Sequence, residues 1–236
     1  MFDDNGLPIL LVPGLLSTAR VYAGQMPVLR DLGDTMVVDH TRDDTIEAVA
    51  RRALAAAPPI FAVAGLSMGG YVALEMVRQA PGRVRRLALL GTTARPDTSK
   101  QTVARLGQIA EAEARGLTEL GEAIFSFIVH PDRTDNEDLR AAFEQMVAEI
   151  GVETFVRQQR AIISRPDARP HLGAIRCPTL VLVGREDALA PVELSAEIAQ
   201  TVGHARLVVV PTCGHLSTLE RPRAVGDALA DWLRIL

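Results

Sequence analysis

Residues 60–70 read Ile-Phe-Ala-Val-Ala-Gly-Leu-Ser-Met-Gly-Gly. The stretch begins as an apolar run of strand length, and residues 65–69 form a Gly-x-Ser-x-Gly element that begins a segment with helical spacing. A serine on a sharp turn between a strand and a helix needs a strained backbone, and flanking glycines remove the Cβ atoms that would collide there. The stretch therefore predicts a nucleophilic serine, Ser67, on an α/β scaffold. The alternative is a tight glycine turn in which the serine only caps a helix.

The same kind of apolar run occurs elsewhere in the chain. These runs are residues 8–12, 35–39, 86–90, 179–183 and 206–210. Each is nearly continuous rather than alternating between apolar and polar, which is typical of strands that are covered on both faces in a parallel sheet. Segments with helical spacing lie between them, so the sequence predicts an α/β fold built on a doubly wound, mostly parallel sheet.

The alternation of strands and helices stops between residues 98 and 172. This region contains polar segments rich in Ala, Glu and Arg with helical spacing, at residues 103–114, 117–127, 138–150 and 152–163. We therefore expect residues 1–97 and 173–236 to form one core. We expect residues 98–172 to form a helical cap, or lid, inserted into that core.

The length and charge of the chain disfavour several classes of protein. Its 236 residues are enough for one sizeable domain, and a net charge of −4 without a run of Lys or Arg disfavours a nucleic-acid partner. No stretch approaches the roughly 18 consecutive apolar residues that a membrane span needs, so we expect no membrane partner. The acidic N-terminus shows no secretory leader, which favours a cytoplasmic protein.

The cysteine content and the aromatic content also limit the chemistry. Cys177 and Cys213 are too few for a disulfide framework or a metal cluster, and a parallel sheet would place them at opposite ends without a disulfide. His130, His171 and His204 have no acidic or histidine partner at ligand spacing, so we expect no metal and no cofactor. Because only 4% of the residues are aromatic, we expect a pocket with aliphatic walls.

A serine hydroxyl is a weak nucleophile that needs a base, and the base needs a group that orients it. Asp187 follows the run at residues 179–183, and His215 follows the run at residues 206–210. The carboxyl ends of parallel strands meet at the same edge of a sheet, so Ser67, Asp187 and His215 are expected to converge there. Taken singly, the aspartate could be a loop acid and the histidine a helix cap. Together, in this order, they predict a Ser-His-Asp triad.

At these residues the chain resembles the α/β-hydrolase family, over essentially its whole length. The matching motifs are Gly65-Leu66-Ser67-Met68-Gly69-Gly70 as the nucleophile elbow, Gly184-Arg185-Glu186-Asp187 as the acid loop, and Gly214-His215 with Glu220-Arg221-Pro222 as the histidine loop. The resemblance implies Ser67 as nucleophile, His215 as general base and acid, and Asp187 as the residue that orients the imidazole. Glu186 is the alternative acid, but the family pattern selects Asp187.

The resemblance also implies an oxyanion hole made of backbone N–H groups. The family often carries His-Gly-x after its first core strand, and this chain has Pro13-Gly14-Leu15 at that place, with proline instead of histidine. The N–H groups of Leu15 and Met68 are then the expected donors to the oxyanion. A turn that merely ends the strand is the alternative for Pro13 and Gly14.

These features predict a serine hydrolase that cleaves an ester-type bond, in a carboxylic ester, lactone or thioester, of a small-molecule substrate through an acyl-enzyme. The family also contains C–C bond hydrolases and cofactor-free haloperoxidases, and the triad does not separate these activities. Some proteins that resemble this chain act as low-turnover small-molecule receptors, so that role is a further alternative.

An acyl carrier protein or a carboxylate-bearing substrate is a weaker prediction. It rests on arginines in and after the last predicted cap helix, namely Arg157, Arg160, Arg165 and Arg169. A solvated helix face is the commoner explanation for such residues, and nothing else in the sequence supports the carrier protein. The sequence makes no prediction about the oligomeric state.

Overall fold

The chain folds around one six-stranded sheet, which a computed structural model describes over residues 6–234. The strands are β1 (Ile9–Val12), β2 (Thr35–Val37), β3 (Phe61–Leu66), β4 (Val84–Leu90), β5 (Thr179–Gly184) and β6 (Ala205–Val210). They lie in the order β2-β1-β3-β4-β5-β6, and every neighbouring pair is parallel. The predicted fold class, a doubly wound parallel α/β sheet, is confirmed.

Helices connect the strands. They are α1 (Met26–Arg30), α2 (Ile46–Ala56), α3 (Met68–Gln79), α4 (Ser99–Arg115), α5 (Thr118–Ile128), α6 (Glu137–Ile163), α7 (Arg169–Leu172), α8 (Val192–Thr201), α9 (Ser217–Glu220) and α10 (Pro222–Arg234). Short 3-10 turns at Ala19–Tyr22 and Pro131–Arg133 complete the set. Parallel strands cannot be joined by a hairpin, so each pair needs such a crossover connection.

The sheet separates two apolar layers, because successive side chains of a strand point to opposite faces. On one face, Leu11 and Ala64 pack in a layer with Leu29 of α1 and Leu229 of α10. The other layer joins Leu10, Val63 and Leu89 of the strands to Val49 of α2, Met76 of α3 and Ile198 of α8. Both faces of the central strands are therefore buried, which explains their continuous apolar runs.

The position of β1 determines where the loops of the site meet. β1 pairs with β2 on one side and with β3 on the other, and Val12 lies opposite Gly65 in the second pairing. The chain thus reverses its direction across the sheet between β1 and β3, and ligands of open α/β sheets bind at such a point, beyond the carboxyl ends of the strands. The loops after Val12 and Leu66 both begin at this edge.

The 98–172 segment is helical throughout its regular structure and connects β4 to β5. The rings of Phe125 and Phe143, with centroids 5.7 Å apart, join α5 to α6. The sequence predicts two helices at 138–150 and 152–163, and α6 does consist of two helical stretches separated at Gly151, whose φ of 68° and ψ of 168° are not helical. Because glycine has no Cβ, Gly151 adopts this left-handed conformation at little steric cost.

No helix within residues 6–234 combines the length and the apolar character that a membrane span requires. Cys177 and Cys213 are both free thiols, and Cys213 is buried. Burial raises the pKa of the Cys213 thiol to about 12, so it stays protonated and unreactive at neutral pH.

Tyr22 links the 3-10 turn at Ala19–Tyr22 to the end of β1. Its hydroxyl is buried and donates a hydrogen bond to the Val12 carbonyl at 2.9 Å. We expect Tyr22→Phe to lower the free energy of unfolding by about 1 kcal/mol, because a buried carbonyl loses its donor. Urea unfolding measures the change. Tyr71→Phe is the control, because within residues 6–234 the Tyr71 hydroxyl makes no hydrogen bond; an equal loss in both variants would contradict the assignment.

Candidate active site

Ser67 occupies the turn between β3 and α3 with φ 55° and ψ −115°, a backbone conformation that is strained for a residue with a Cβ. Hydrogen bonds hold the backbone of Ser67 at both of its polar groups. The Ser67 N–H donates to the Leu90 carbonyl at 2.8 Å, and the Thr92 hydroxyl donates to the Ser67 carbonyl at 2.9 Å. A Cβ at Gly69 would collide with the Val12 carbonyl, so glycine allows α3 to begin directly against β1. The turn therefore presents Ser67 at the carboxyl edge of the sheet.

Asp187 lies in the loop after β5, and its two carboxylate oxygens have different partners. Oδ1 accepts hydrogen bonds from the N–H groups of Leu189 at 3.0 Å and Ala190 at 2.8 Å. Oδ2 lies 2.8 Å from Nδ1 of His215, and both side chains are buried. The backbone donors thus fix the carboxylate, and the carboxylate in turn fixes the imidazole.

Glu186, the alternative acid, has another partner. Its Oε2 accepts a hydrogen bond from the Cys213 N–H at 2.9 Å, and its own N–H donates to the Cys213 carbonyl at 3.0 Å. It therefore joins the loop after β5 to the loop after β6. The carboxylate that the structure places on the His215 ring is that of Asp187.

The loop that carries His215 is held by a buried carboxylate that sequence reasoning does not single out. Glu220 accepts hydrogen bonds from the N–H groups of His130 at 2.9 Å and Gly214 at 3.0 Å. The His215 N–H donates to the Ile128 carbonyl of α5 at 2.6 Å. The histidine loop is therefore tied to the end of α5, and the only sequence signal for Glu220 is its place in the Glu-Arg-Pro motif.

Gly91, directly after β4, lies against the buried pair. Its φ is 51°, and a Cβ there would lie 3.2 Å from Oδ2 of Asp187 and 3.3 Å from Nδ1 of His215. Contacts this short would force the carboxylate or the ring to move. Glycine is therefore favoured at this position both by its conformation and by the space that the pair occupies.

Two buried histidines have pKa values that shift in opposite directions. Burial on its own lowers the pKa of His215, but the charge and hydrogen bond of Asp187, with the charge of Glu220, outweigh it and hold the pKa above its ordinary value. Burial also lowers the pKa of His40, and there it outweighs the opposing hydrogen bond to the Gly14 carbonyl at 3.1 Å and the charge of Asp39. His40 therefore supports the loop after β1 as a neutral ring.

The loop after β1 carries the expected oxyanion donor. The Leu16 N–H donates to Oε1 of Gln158 on α6 at 3.1 Å, so this amide is occupied. Within residues 6–234, neither the Leu15 N–H nor the Met68 N–H donates to a protein acceptor. Leu15 lines the same cavity as Ser67 and His215. Met68 is the buried first residue of α3, and the N–H of a first helical residue has no partner inside the helix.

A small cavity of about 80 Å³ opens at this edge of the sheet, and Ser67 and His215 both line it. Its aliphatic wall, predicted from the low aromatic content, includes Leu15, Leu66, Ile124, Ile162, Leu189 and Leu194. A second cavity of about 180 Å³ shares Tyr71, Thr93 and Arg165 with the first, but neither Ser67 nor His215 lines it. The first cavity is therefore the one in which the predicted site residues could act.

The four arginines expected to attract a carboxylate differ in whether they reach the cavity. Arg165 lines the cavity, whereas Arg157 donates to the Thr41 carbonyl at 2.8 Å and Arg169 pairs with Asp167 at 2.6 Å. Arg160 is exposed. The cavity also contains Arg105 of α4, which the spacing of charges in the sequence does not single out.

Among residues 6–234, no group of three or more His, Cys, Asp and Glu side chains is arranged to hold a metal ion. The chemistry available at the cavity is that of a hydroxyl, an imidazole with a carboxylate partner, and backbone N–H groups. This combination is suited to nucleophilic attack by the hydroxyl with proton transfer through the imidazole.

Comparison with known proteins identifies the family of the chain. The model of the alpha/beta hydrolase family matches residues 9–228. A thermophilic esterase from Thermogutta terrifontis, solved with malate bound, is 30% identical, with a TM-score of 0.89 over 98% of this chain and 90% of its own. An enol-lactonase from Burkholderia xenovorans shares the fold with a TM-score of 0.87 at 24% identity, over 98% of this chain and 92% of its own.

A relative of assigned activity extends the comparison. A pimeloyl-[acyl-carrier protein] methyl ester esterase from Nitrosomonas europaea is 28% identical over 70% of this chain and 68% of its own length. The family match covers the whole sheet and the loops after β1, β3, β5 and β6. The chain therefore belongs to the alpha/beta hydrolase family, and it is a hydrolase.

Proposed function

We propose that this hydrolase cleaves an ester-type bond of a small substrate through an acyl-enzyme formed on Ser67, with His215 as general base and acid and Asp187 as its partner. The observation that carries the proposal is the buried 2.8 Å contact between His215 Nδ1 and Asp187 Oδ2. It lies at the edge of the sheet where the strained turn presents Ser67, and Ser67 and His215 line one cavity.

The hydrogen bond to Asp187 determines which nitrogen of His215 can act as a base. A carboxylate only accepts hydrogen bonds, so the proton of the neutral imidazole lies on Nδ1 and Nε2 keeps its lone pair. Nε2 then takes the proton of the Ser67 hydroxyl as Oγ bonds to the carbonyl carbon of the substrate. The same proton passes to the leaving oxygen as its bond to that carbon breaks. Water then attacks the acyl-enzyme in the same way: Nε2 takes a proton from the water, passes it to Oγ of Ser67 as the acyl bond breaks, and the acid is released.

The charge that forms on the carbonyl oxygen needs donors that are already in place. The N–H groups of Leu15 and Met68 are suited to this role, because neither donates to a protein acceptor within residues 6–234. The positive end of α3 adds to their effect at the same point. Donors that are fixed before the reaction stabilise the oxyanion without any reorganisation in the transition state.

Replacement of Ser67 tests the nucleophile. We expect Ser67→Ala to reduce kcat for 4-nitrophenyl esters of short fatty acids by about 10⁴ to 10⁶, because the covalent step is lost. It should also abolish labelling by a fluorophosphonate. Ser126→Ala is the matched control, since Ser126 lies on α5 and its hydroxyl donates only to the Glu122 carbonyl.

Two outcomes would count against this proposal. Undiminished labelling of Ser67→Ala would exclude Ser67 as the nucleophile. A single stoichiometric burst of product from the wild-type protein, with no steady state after it, would favour the receptor role over an enzyme.

Replacement of the two adjacent acids tests which of them serves His215. We expect Asp187→Asn to lower kcat by about 10⁴, because the imidazole loses the partner that fixes its proton on Nδ1. It should also bring the pKa of His215 below its ordinary value, since burial is then opposed only by Glu220. Glu186→Gln is the control and should leave kcat within about threefold, because its carboxylate contacts the Cys213 amide and not the ring.

Titration of the imidazole signals by nuclear magnetic resonance measures the pKa directly. In the wild type, activity requires the neutral ring, so kcat/KM should fall as the pH drops through a pKa above 6.5. A larger loss in Glu186→Gln than in Asp187→Asn would assign the role to Glu186 instead.

A further inference from the structure

Two guanidinium groups lie in the wall of the cavity that contains Ser67 and His215. Arg105 comes from α4, and Arg165 follows α6. Among the described residues that line this cavity there is no Asp or Glu. Its other polar lining residues include Ser17, Thr93 and Gln101, so the two arginines give the wall of a largely aliphatic cavity a positive charge.

Both arginines share one buried carboxylate behind the wall. Nε of Arg105 donates to Oδ2 of Asp97 at 2.8 Å, and Nη1 of Arg165 lies 2.7 Å from Oδ1. The side chains of Asp97, Arg165 and Arg105 are 2%, 4% and 15% exposed. Two positive charges against one negative charge leave this cluster with a net charge of one.

The other partners of the two arginines are neutral. Nη1 of Arg105 donates to Oε1 of Gln159 at 2.8 Å, and Arg165 donates to the carbonyls of Arg95 and Ile162 while its guanidinium stacks on the Tyr71 ring at 4.4 Å. Within residues 6–234, Nη2 of neither arginine donates a hydrogen bond. Of the two side chains, that of Arg105 is the more exposed.

A purely structural role accounts for only part of this cluster. Asp97 precedes α4 and Arg165 follows α6. The ion pair between these two residues is therefore sufficient to join the two ends of the helical segment. The second guanidinium adds a charge that is expensive to bury without a counterion. A carboxylate on the substrate would supply that counterion, and Arg105 presents the planar donor group that binds carboxylates best.

We propose that Arg105, backed by Arg165 and Asp97, binds a carboxylate at the end of the substrate that is remote from the scissile bond. The substrates are then half-esters or lactones derived from dicarboxylic acids, and Arg105 is a specificity-determining residue. This inference rests on the proposed function, because it assigns the part of the substrate that the triad does not touch.

The test uses the monoethyl esters of straight-chain dicarboxylic acids from malonate to suberate. Each is compared with the ester in which a carboxamide of the same size replaces the carboxylate, and ethanol release is measured. At the best chain length we expect the wild type to favour the carboxylate in kcat/KM by about tenfold or more, since hydrogen bonds to charged groups are stronger. This comparison needs no variant.

The variant Arg105→Gln assigns the preference to its residue. We expect it to remove most of the preference through a higher KM for the carboxylate, so that kcat/KM falls by a larger factor for the carboxylate than for the carboxamide. Asp97 remains paired with Arg165 in this variant. Arg169→Gln makes the same change in net charge on the partner of Asp167, and it should keep the full preference.

The outcomes separate this inference from the proposed function. Equal kcat/KM for carboxylate and carboxamide at every length, or a full preference in Arg105→Gln, would overturn the carboxylate site and leave the esterase activity standing. If no ester is turned over, the proposed function fails. The carboxylate site is then tested by calorimetry, which measures binding of the same half-ester to Ser67→Ala and to Ser67→Ala/Arg105→Gln. Weaker binding to the double variant supports the carboxylate site, and equal binding overturns it.

Discussion

The conformation of Ser67 is the constraint on which the rest of the site depends. A residue with a side chain rarely holds φ 55° and ψ −115°, and here the conformation is maintained by hydrogen bonds to Leu90 and Thr92 and by the contact of α3 with β1 at Gly69. Without these contacts the turn could relax, and the hydroxyl would leave the cavity. The cost of the strain is met by the buried sheet on either side, because β1 and β3 are among the most deeply buried strands of the chain.

The fold could be predicted from the sequence because strands buried on both faces have few alternatives. A continuous run of five apolar residues is too short for a helix of typical length, and six such runs separated by helical spacing favour a parallel sheet. The ends of the elements are less predictable. β2 ends at Val37 although the run continues to Asp39, because the Asp39 carboxylate accepts hydrogen bonds from Thr41 and Arg42 and turns the chain.

The sequence predicts the buried pair at the site but not the residues that support it. Asp187 and His215 follow strands directly, so the topology alone brings them to one edge. Arg105 and Gln158 act across long sequence separations, and no local spacing marks them, whereas Glu220 is marked only by its place in the Glu-Arg-Pro motif. Spacing along a helix indicates which residues share a face, but it does not indicate which face lies against the core. For this reason the sequence suggests Arg157 and Arg160 as candidates for binding a carboxylate and does not suggest Arg105.

The residues around the cavity differ in how freely they can change, and this matters for engineering. Gly69 admits no larger side chain, because a Cβ would collide with the Val12 carbonyl, and at Gly91 a Cβ would crowd the Asp187 carboxylate and the His215 ring. Ile124, Ile162 and Leu194 also line the cavity, but their side chains only occupy volume. Exchanges among aliphatic residues of similar volume but different shape are usually tolerated at such positions. A library that varies these three side chains would therefore alter the shape of the pocket while keeping the reacting groups in place.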